Sequence, residues 1–444
     1  MNEPVRNDDS VERERRFEVG SLSRVEGEGS LRLVVRDDEI VTAELSIFEA
    51  PRFFERLVVD RRPDEVLDIV ARICGICPVA YQVTAAEAFE RLFEVTLEPE
   101  VRQLRTLFYW GEWLQSHALH IYLLNAPDFL GYDGALEMAR DHREVVERGM
   151  ALKRAGTRIL EVIGGRATHP VSLRVGGFWQ APRASELRTL LPELEQALAD
   201  ARETVRWTAG FSLPAWEREP TLLALSDGEH YSLDTGRLVT SEGVDLDPGD
   251  WEQAFEEQQV AHSTALQSRA KDGRHHLLGP PARVALTGSY LHPAAREALA
   301  EAGGVDLLRR NLFAAISARG VEMVHAIASA IDIVESYSEP SAPAADWEAR
   351  AGTAAWSTEA PRGLLFQTYE IDERGLVSSA RIVPPTAQNQ ASIEDDLRTY
   401  AGTILHLPQA EATARLEAMI RCYDPCISCA THFLRVDIDR AARW

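Results

Sequence analysis

The sequence predicts an α+β protein that is mainly helical, with long helices bundled at its centre and small β elements around them. Residues 101–125 carry apolar side chains at three- and four-residue steps and few charges, the pattern of a helix buried in a bundle. Alternating runs at residues 30–35, 40–47, 363–370 and 376–383 indicate short strands. Four of the five cysteines form two CxxC pairs near opposite ends of the chain, so a shared metal site requires both terminal segments to meet.

The composition is that of an ordinary folded protein, with 45% hydrophobic and 26% charged residues. The chain has 47 basic and 70 acidic residues and a formal charge of -23, which excludes nucleic acid as a partner because phosphates require a basic surface. An odd number of cysteines, five, favours reduced thiols, so we expect a cytoplasmic protein. No run of about 18 apolar residues is free of charged and polar groups, so no direct membrane span is predicted.

The N-terminal half is predicted to contain a disordered leader, a hairpin and several helices. The leader covers residues 1–16, and its Arg15-Arg16 pair is not followed by the apolar segment that an export signal needs. Asp37-Asp38-Glu39 forms the turn of the hairpin. A loop rich in Gly and Pro is expected over 164–182. Helices are predicted over residues 79–93, 101–125, 131–163 and 184–209.

The C-terminal half begins with the least periodic part of the sequence, residues 217–288, which we expect to form an irregular α+β lobe or an insertion. Ser392 is predicted to be a helix N-cap, because acidic residues fill the turn that follows it. Further helices are predicted over residues 293–303, 306–337 and 409–421. We expect residues 17–432 to form a single domain, followed by a C-terminal tail, 433–444, that is either removed or forms a short closing strand.

The two CxxC pairs are Cys74 with Cys77 and Cys426 with Cys429, 349 residues apart (426 minus 77). Two intervening residues allow both thiolates of a pair to bind one metal. One alternative is a structural zinc site, but the cysteine pairs of such sites usually lie within a few tens of residues. The other is a soft, redox-active metal such as nickel or iron, which four thiolates also suit.

Six motifs resemble those of one known family, the large, catalytic subunit of nickel–iron hydrogenases, and they occur in the same order along the chain. The resemblance covers most of the chain. The two metal motifs are Arg72-Ile-Cys-Gly-Ile-Cys77 and Asp424-Pro-Cys-Ile-Ser-Cys-Ala-Thr-His432. The other four are Ser23-Arg-Val-Glu-Gly27, Pro51-Arg-Phe-Phe-Glu55, Gly165-Arg-Ala-Thr-His-Pro170 with Val175-Gly-Gly177, and Glu359-Ala-Pro-Arg-Gly363 with Val383-Pro-Pro-Thr386. The resemblance implies the fold of that subunit, with both chain ends at the metal site.

The resemblance also implies a metal set. Nickel would be bound by the four cysteines, and Cys77 and Cys429 would bridge it to an iron that carries cyanide (CN) and carbon monoxide (CO) ligands. A magnesium, or sometimes iron, would be held by Glu55, His432 and a carbonyl near Ile382, together with waters. Cys422 matches none of these positions and is interpreted as a buried, inert thiol.

Four further residues match polar positions around the family's metals. Glu26 would relay the proton released by heterolytic cleavage of hydrogen, which needs a base beside the metal. Arg362 would lie over the metals, Thr386 would donate to a cyanide, and Asp424 would pair with Arg362. The alternatives are a surface glutamate in a polar turn for Glu26, a strand-end salt bridge for Arg362 and an Asp-Pro turn for Asp424.

Some positions depart from the family pattern. Tyr81 and Glu28 stand where many members have His, and Ser116 lies near a position that is often Asp in the membrane-linked branch. The runs Pro78-Val-Ala-Tyr-Gln82 and Pro384-Pro-Thr-Ala-Gln388 resemble the soluble NAD(P)-linked branch, also called sulfhydrogenase.

The resemblance implies several partners. The sequence has no GxGxxG fingerprint after a strand and no spare cysteines for iron–sulfur clusters, so electrons must leave through other subunits. We expect an iron–sulfur small subunit near His169, flavin- and NAD(P)-binding diaphorase subunits, and a maturation endopeptidase that cuts after His432. Two alternatives are a hydrogen-sensing regulatory subunit and a non-catalytic, quinone-binding relative; the four cysteines, Glu26 and Arg362 argue against the second.

Overall fold

The computed structural model describes residues 14–431, which form sixteen α-helices and thirteen β-strands. The first eight helices are α1 (Phe54–Leu57), α2 (Pro63–Val70), α3 (Pro78–Leu92), α4 (Pro99–Leu119), α5 (Ala126–Leu130), α6 (Ala135–Asp141), α7 (Arg143–Gly164) and α8 (Ala184–Arg188). The others are α9 (Leu191–Ala209), α10 (Trp251–Ala254), α11 (Pro280–Thr287), α12 (Pro293–Glu301), α13 (Gly304–Arg310), α14 (Ala315–Ser336), α15 (Pro385–Ile404) and α16 (Gln409–Cys422).

The strands form five small antiparallel sheets, ordered β1-β2-β3, β4-β5, β6-β7-β8, β9-β10 and β11-β12-β13. Their bounds are β1 (Glu14–Val19), β2 (Gly29–Arg36), β3 (Glu39–Ile47), β4 (Leu173–Arg174), β5 (Gly177–Phe178), β6 (Leu223–Ser226), β7 (Arg237–Thr240), β8 (Asp245–Leu246), β9 (Phe255–Gln259), β10 (Leu266–Ala270), β11 (Gly352–Ala360), β12 (Gly363–Ile371) and β13 (Val377–Val383). The mainly helical α+β class is therefore confirmed.

Helices α4, α7, α9 and α14 pack together at the centre of the protein. Helices α4 and α7 meet backbone to backbone, because a Cβ atom added at Gly156 would lie 2.5 Å from the carbonyl oxygen of Gly111. Among the described residues, one helical segment, Leu312–Ser336, is long and apolar enough to cross a membrane, but 94% of that window is buried in the protein. The predicted bundle of long buried helices is confirmed.

Helix α4 does not end at Leu119 but continues as a π-helical turn, His120–Asn125, into α5. The side chain of Asn125 approaches Cys422 at the end of α16, and His120 Nε2 lies 2.7 Å from the carbonyl oxygen of Arg421. Such turns occur frequently at functional sites. This turn connects the central bundle to the segment that carries the second CxxC pair.

Residues 217–288 contain the predicted mixture of short strands and helices, with β6 to β10, α10 and α11. Their apolar side chains share a cluster with the central strand of the β11-β12-β13 sheet. The cluster contains Trp251, Phe255 and Leu278 from this segment and Leu364 and Phe366 from β12. The segment therefore packs against the β11-β12-β13 sheet.

Several local predictions were wrong. Ser392 is not an N-cap, because it lies inside α15, where its hydroxyl donates to the carbonyl oxygen of His276. The helix starts at Pro385, which is favourable there because the N–H that proline lacks has no partner in a first turn. Residues 14–16 belong to β1 rather than to the leader. The predicted helix 306–337 is two helices, because the Asn311 side chain accepts from Phe313 N and caps a short 3-10 turn between them. Strand β11 was not predicted.

The two ends of the chain come together as predicted. Glu26 and Cys426 form a parallel bridge, and Ile427 N donates to the Glu26 carbonyl oxygen over 2.8 Å. The predictions for residues 1–13, for His432 and for the tail 433–444 lie outside the described residues.

Candidate metal centre

The first CxxC pair lies between a short 3-10 helix, Ala71–Ile73, and helix α3. Ile76 N donates to Cys74 Sγ over 3.3 Å, which turns the loop back on itself. Pro78 opens α3 directly after Cys77, and the buried carboxylate of Glu112 on α4 accepts from Val79 N (2.5 Å) and Ala80 N (3.0 Å). Helix α4 therefore fixes the start of α3 and, with it, the position of Cys77.

The second pair follows α16. Asp424 adopts a left-handed conformation (φ 56°), which turns the chain inward immediately before Pro425. Cys426 N donates to Thr386 Oγ1 over 2.9 Å, and Cys429 lies in a 3-10 turn, Ser428–Ala430. This loop is held by α15 on one side and by the segment that contains Glu26 on the other.

The four sulfur atoms converge. The Sγ–Sγ distances are 3.5 Å from Cys74 to Cys426, 3.6 Å from Cys77 to Cys429 and 2.8 Å from Cys426 to Cys429. All four lie within 4.8 Å of one another, and all four side chains are buried. The prediction that both pairs meet at one point is confirmed.

The donor set fits a soft metal cation. Burial raises the pKa of the Cys426 and Cys429 thiols, whereas hydrogen bonds from Cys426, Cys429 and Cys77 lower the pKa of Cys74. Without a cation, the four sulfurs would therefore share protons rather than all ionise. Four thiolates at this spacing require a compensating metal ion, and soft sulfur ligands suit nickel and iron as well as zinc.

Glu26 lies beside the sulfur cluster. Its Oε2 is 3.1 Å from Cys426 Sγ and accepts from Ser428 N over 3.0 Å. The neighbouring residue must be glycine: Gly27 has a φ of +88°, and a Cβ atom there would lie 2.7 Å from the Cβ atom of Ile427. The half-buried carboxylate therefore faces the sulfur cluster. A surface glutamate in a polar turn, the alternative interpretation, would not make this contact.

Arg362 lies in the tight turn between β11 and β12, and both it and Asp424 are buried. Arg362 Nε is 3.1 Å from Asp424 Oδ1. Burial lowers the pKa of Arg362, but Asp424 and the cysteine thiolates raise it well above its ordinary value, so the side chain stays charged. Within residues 14–431, Nη1 and Nη2 of Arg362 have no hydrogen-bond partner. Two buried N–H groups near the sulfurs are thus available to a polar ligand.

The comparisons with known proteins agree with this geometry. The sequence profile described as "Nickel-dependent hydrogenase" matches residues 52–150 and 294–432, which contain all four clustered cysteines. Sulfhydrogenase 1 subunit alpha of Pyrococcus furiosus is 34% identical over 94% of this chain and 98% of that protein. The chain belongs to the nickel-dependent hydrogenase family. Sulfhydrogenase 2 subunit alpha of the same organism is 32% identical over 95% of this chain and 100% of that protein.

Solved structures give the same result for the fold. An NAD+-reducing [NiFe]-hydrogenase in the H2-reduced state superposes with a TM-score of 0.82 and 27% identity, covering 94% of this chain and 99% of that one. The Ni-Fe-Se hydrogenase of D. vulgaris Hildenborough, at 20% identity, superposes with a TM-score of 0.75 over 95% of this chain and 100% of that one. The predicted hydrogenase large-subunit fold is confirmed.

The predicted magnesium ligands of this hydrogenase are partly placed. Glu55 Oε1 accepts from Ile382 N over 2.8 Å, so these two residues are adjacent although 327 positions apart. Thr431 approaches the same region, because Arg52 N donates to its carbonyl oxygen over 2.7 Å. His432 is the next residue and lies outside the described part of the chain.

The remaining predicted positions differ in burial and in their contacts. His169 is half-buried beside the first CxxC loop, with its Nε2 4.0 Å from where a Cβ atom of Gly75 would lie. Burial of Cys422 raises the pKa of its thiol to about 12, and this residue is not among the four clustered cysteines. Tyr81 and Ser116 are buried, and among the described residues their hydroxyl groups have no hydrogen-bond partner. Glu28 is exposed.

Two residues that hold the centre together were not predicted. Arg52 Nη2 donates to the carbonyl oxygens of Ile73 (2.7 Å) and Ser428 and so joins the two CxxC loops. Glu112 fixes the start of α3, as described above. Each offered a weak signal: Arg52 belongs to a recognised motif, and Glu112 is a carboxylate in a nearly uncharged apolar helix.

Proposed function

We propose that the chain is the catalytic subunit of a nickel–iron hydrogenase that cleaves hydrogen reversibly and heterolytically. The observation that carries the proposal is the convergence of four buried sulfurs from both ends of the chain, with Glu26 Oε2 3.1 Å from one of them. Membership of the nickel-dependent hydrogenase family supports nickel over a structural zinc.

The residues would hold the metals as follows. All four cysteines would bind nickel, and Cys77 and Cys429 would also bind an iron with CN and CO ligands. The unpaired N–H groups of Arg362 suit one cyanide. The Thr386 oxygen accepts a hydrogen bond from Cys426 N. The Thr386 hydroxyl proton therefore remains available to donate to the other cyanide. Bound together, these metals supply a Lewis-acidic, redox-active centre where hydrogen is polarised.

Glu26 would accept and release the proton at Oε2. A general base must lie within hydrogen-bonding reach of its proton, and the contact with Cys426 Sγ satisfies this condition. Asp424 would act through Arg362, because its carboxylate pairs with Nε, whereas the two Nη groups have no hydrogen-bond partner among the described residues.

A magnesium or iron ion would lie near Glu55, the carbonyl of Ile382 and His432. Oxygen ligands with one imidazole and waters give an octahedral set. The hydrogen bond from Ile382 N to Glu55 orients the carboxylate, which supports this assignment.

Electrons would leave through an iron–sulfur small subunit and then pass to NAD(P) through diaphorase subunits. The likeness to an NAD+-reducing hydrogenase structure and to two sulfhydrogenase alpha subunits supports this branch. The surface beside His169 suits the small subunit, since Trp179 and Val171 are exposed apolar residues on the same loop region. A maturation endopeptidase would cut after His432. The five free, reduced thiols favour a cytoplasmic location.

Metal analysis of the purified complex with its small subunit tests the proposal. We expect nickel and iron together, with hydrogen-dependent reduction of a dye. A complex that contains only zinc and reduces no dye under hydrogen would rule the proposal out.

A further inference from the structure

A cavity lies away from the metal centre, beside the N-terminal half of α4. Its volume is about 860 Å³, and its walls come from α4, the loop 227–235, residues 290–292 and α14. This is the size of a small-molecule site, which typically measures about 300–1,000 Å³. None of the described metal-centre residues lines it.

The floor of the cavity is aromatic and rigid. The ring of His325 lies 4.9 Å from that of Trp110 and 4.9 Å from that of Tyr231. The Tyr231 hydroxyl donates to Glu322 Oε1 over 2.6 Å, and His325 Nδ1 accepts from His292 N over 2.9 Å. These hydrogen bonds fix the rings of Tyr231 and His325 in place.

Two buried polar groups of the lining lack a hydrogen bond. Trp110 is 3% exposed and Asp234 is 6% exposed. In the part of the chain that the structure describes, Trp110 Nε1 and Asp234 Oδ2 have no hydrogen-bond partner, and the Arg102 guanidinium remains 3.9 Å from Asp234. Leaving a buried polar group without a hydrogen bond costs about 1–3 kcal/mol, so a ligand that forms a hydrogen bond with each would gain affinity.

The lining is also strongly acidic. The lining has four carboxylates, those of Asp227, Glu229, Asp234 and Asp332, and one guanidinium, that of Arg102. Two of the carboxylates pair with lining imidazoles, Asp227 with His230 (3.0 Å) and Asp332 with His292 (3.3 Å). Burial lowers the pKa of His325 to about 3, so this imidazole adds no positive charge near neutrality. The cavity therefore repels anions and attracts cations.

We propose that this cavity binds an organic cation with an aromatic body. Its ammonium group pairs with Asp234, its ring lies against Trp110 and Tyr231, and an oxygen on the ring accepts from Trp110 Nε1. A buried carboxylate favours such a cation over a neutral molecule of the same shape, because only the ammonium group forms a charged hydrogen bond with it.

Three phenols of matched shape test the proposal by calorimetric titration of the purified complex. They are tyramine, the neutral 4-(2-hydroxyethyl)phenol and the anionic 3-(4-hydroxyphenyl)propionate. We expect tyramine to bind at least about tenfold more tightly than the alcohol, with no measurable binding of the acid. Equal affinities for tyramine and the alcohol, or no binding of tyramine at millimolar concentration, would overturn it.

Variants identify the site. Asp234→Asn keeps the shape and removes the charge, and it should weaken tyramine binding by about tenfold or more. The matched control, Asp332→Asn, changes an exposed carboxylate at the mouth and should alter the affinity by less than about threefold. Trp110→Phe keeps a ring without the N–H and should weaken binding severalfold. An unchanged affinity in Asp234→Asn, with hydrogen-dependent dye reduction retained as evidence of folding, would contradict the assignment.

Discussion

At the scale of single residues, the carboxylate of Glu26 is held between a backbone N–H and a cysteine sulfur. Ser428 N fixes Oε2, and the same oxygen contacts Cys426 Sγ. The carboxylate is half-buried, so it lies between the metal centre and the solvent. This position suits a group that carries protons, whereas metal binding itself needs only the four sulfurs.

Glu26→Gln should therefore keep nickel and iron but lower hydrogen turnover by roughly 100-fold or more, because the amide cannot take up the proton. Metal analysis and hydrogen-dependent dye reduction measure the two effects. Glu28→Gln, two residues away and exposed, is the matched control and should remain active. Full turnover and isotope exchange in Glu26→Gln would eliminate the proton-relay role.

Two substitutions separate the ion pair of Arg362 with Asp424 from its proposed chemical role at the metals. Arg362→Leu leaves Asp424 as an unpaired buried charge and should destabilise the protein by about 3–5 kcal/mol. Arg362→Lys keeps a charge but loses the planar pair of N–H groups, so it should melt near the wild-type temperature and yet lose most activity. Thermal melting and turnover check both, and infrared bands of the proposed CN ligands should shift in Arg362→Lys. Unchanged bands and turnover in Arg362→Lys would count against this role.

At the scale of helices and strands, the position of the first CxxC pair depends on how α4 packs. Its Glu112 holds the start of α3, and its Gly111 lets α7 approach to backbone contact. Because both contacts lie on one helix, a change in the spacing of α4 and α7 displaces the start of α3 as well. The bundle therefore determines the geometry of two of the four sulfurs.

Gly156→Ala tests this packing. The new Cβ atom would lie 2.5 Å from the Gly111 carbonyl oxygen, so the helices must separate at a cost of about 1–3 kcal/mol. Gly402→Ala in α15 has open space around it and should instead stabilise the protein by up to about 1 kcal/mol. Thermal melting of both variants checks the pair. Equal melting temperatures would show that the close approach of α4 and α7 does not matter.

At the scale of the whole molecule, one carboxylate joins the two chain ends. Asp128, after the π-helical turn, pairs with Arg24 (2.6 Å) beside Glu26 and with Arg421 (2.8 Å) before the second CxxC pair. Asp128→Ala should remove a shared ion-pair partner from both guanidinium groups, lower stability by about 3–5 kcal/mol and speed the loss of nickel to a chelator. The exposed Asp133→Ala is the control. Wild-type nickel retention in Asp128→Ala would show that the ends meet without this link.

The sequence alone predicted the helices, the hairpins and the sulfur set because these are local patterns: the periodicity of residues 101–125, the Asp37–Glu39 turn and the two CxxC pairs. It did not predict the roles of Glu112, Asp128 or Arg52. The partners described above lie 21 to 376 residues away in the chain, and no local pattern specifies them. Ser392 was misassigned because acidic residues resemble a first turn even inside a helix that Pro385 has already started.

Anomalous diffraction at the nickel edge from crystals of the metal-loaded complex tests the central claim most directly. Convergence of the chain ends predicts one nickel peak within bonding distance of all four sulfurs, those of Cys74, Cys77, Cys426 and Cys429. A nickel bound by one pair alone, or a zinc signal in its place, would contradict it.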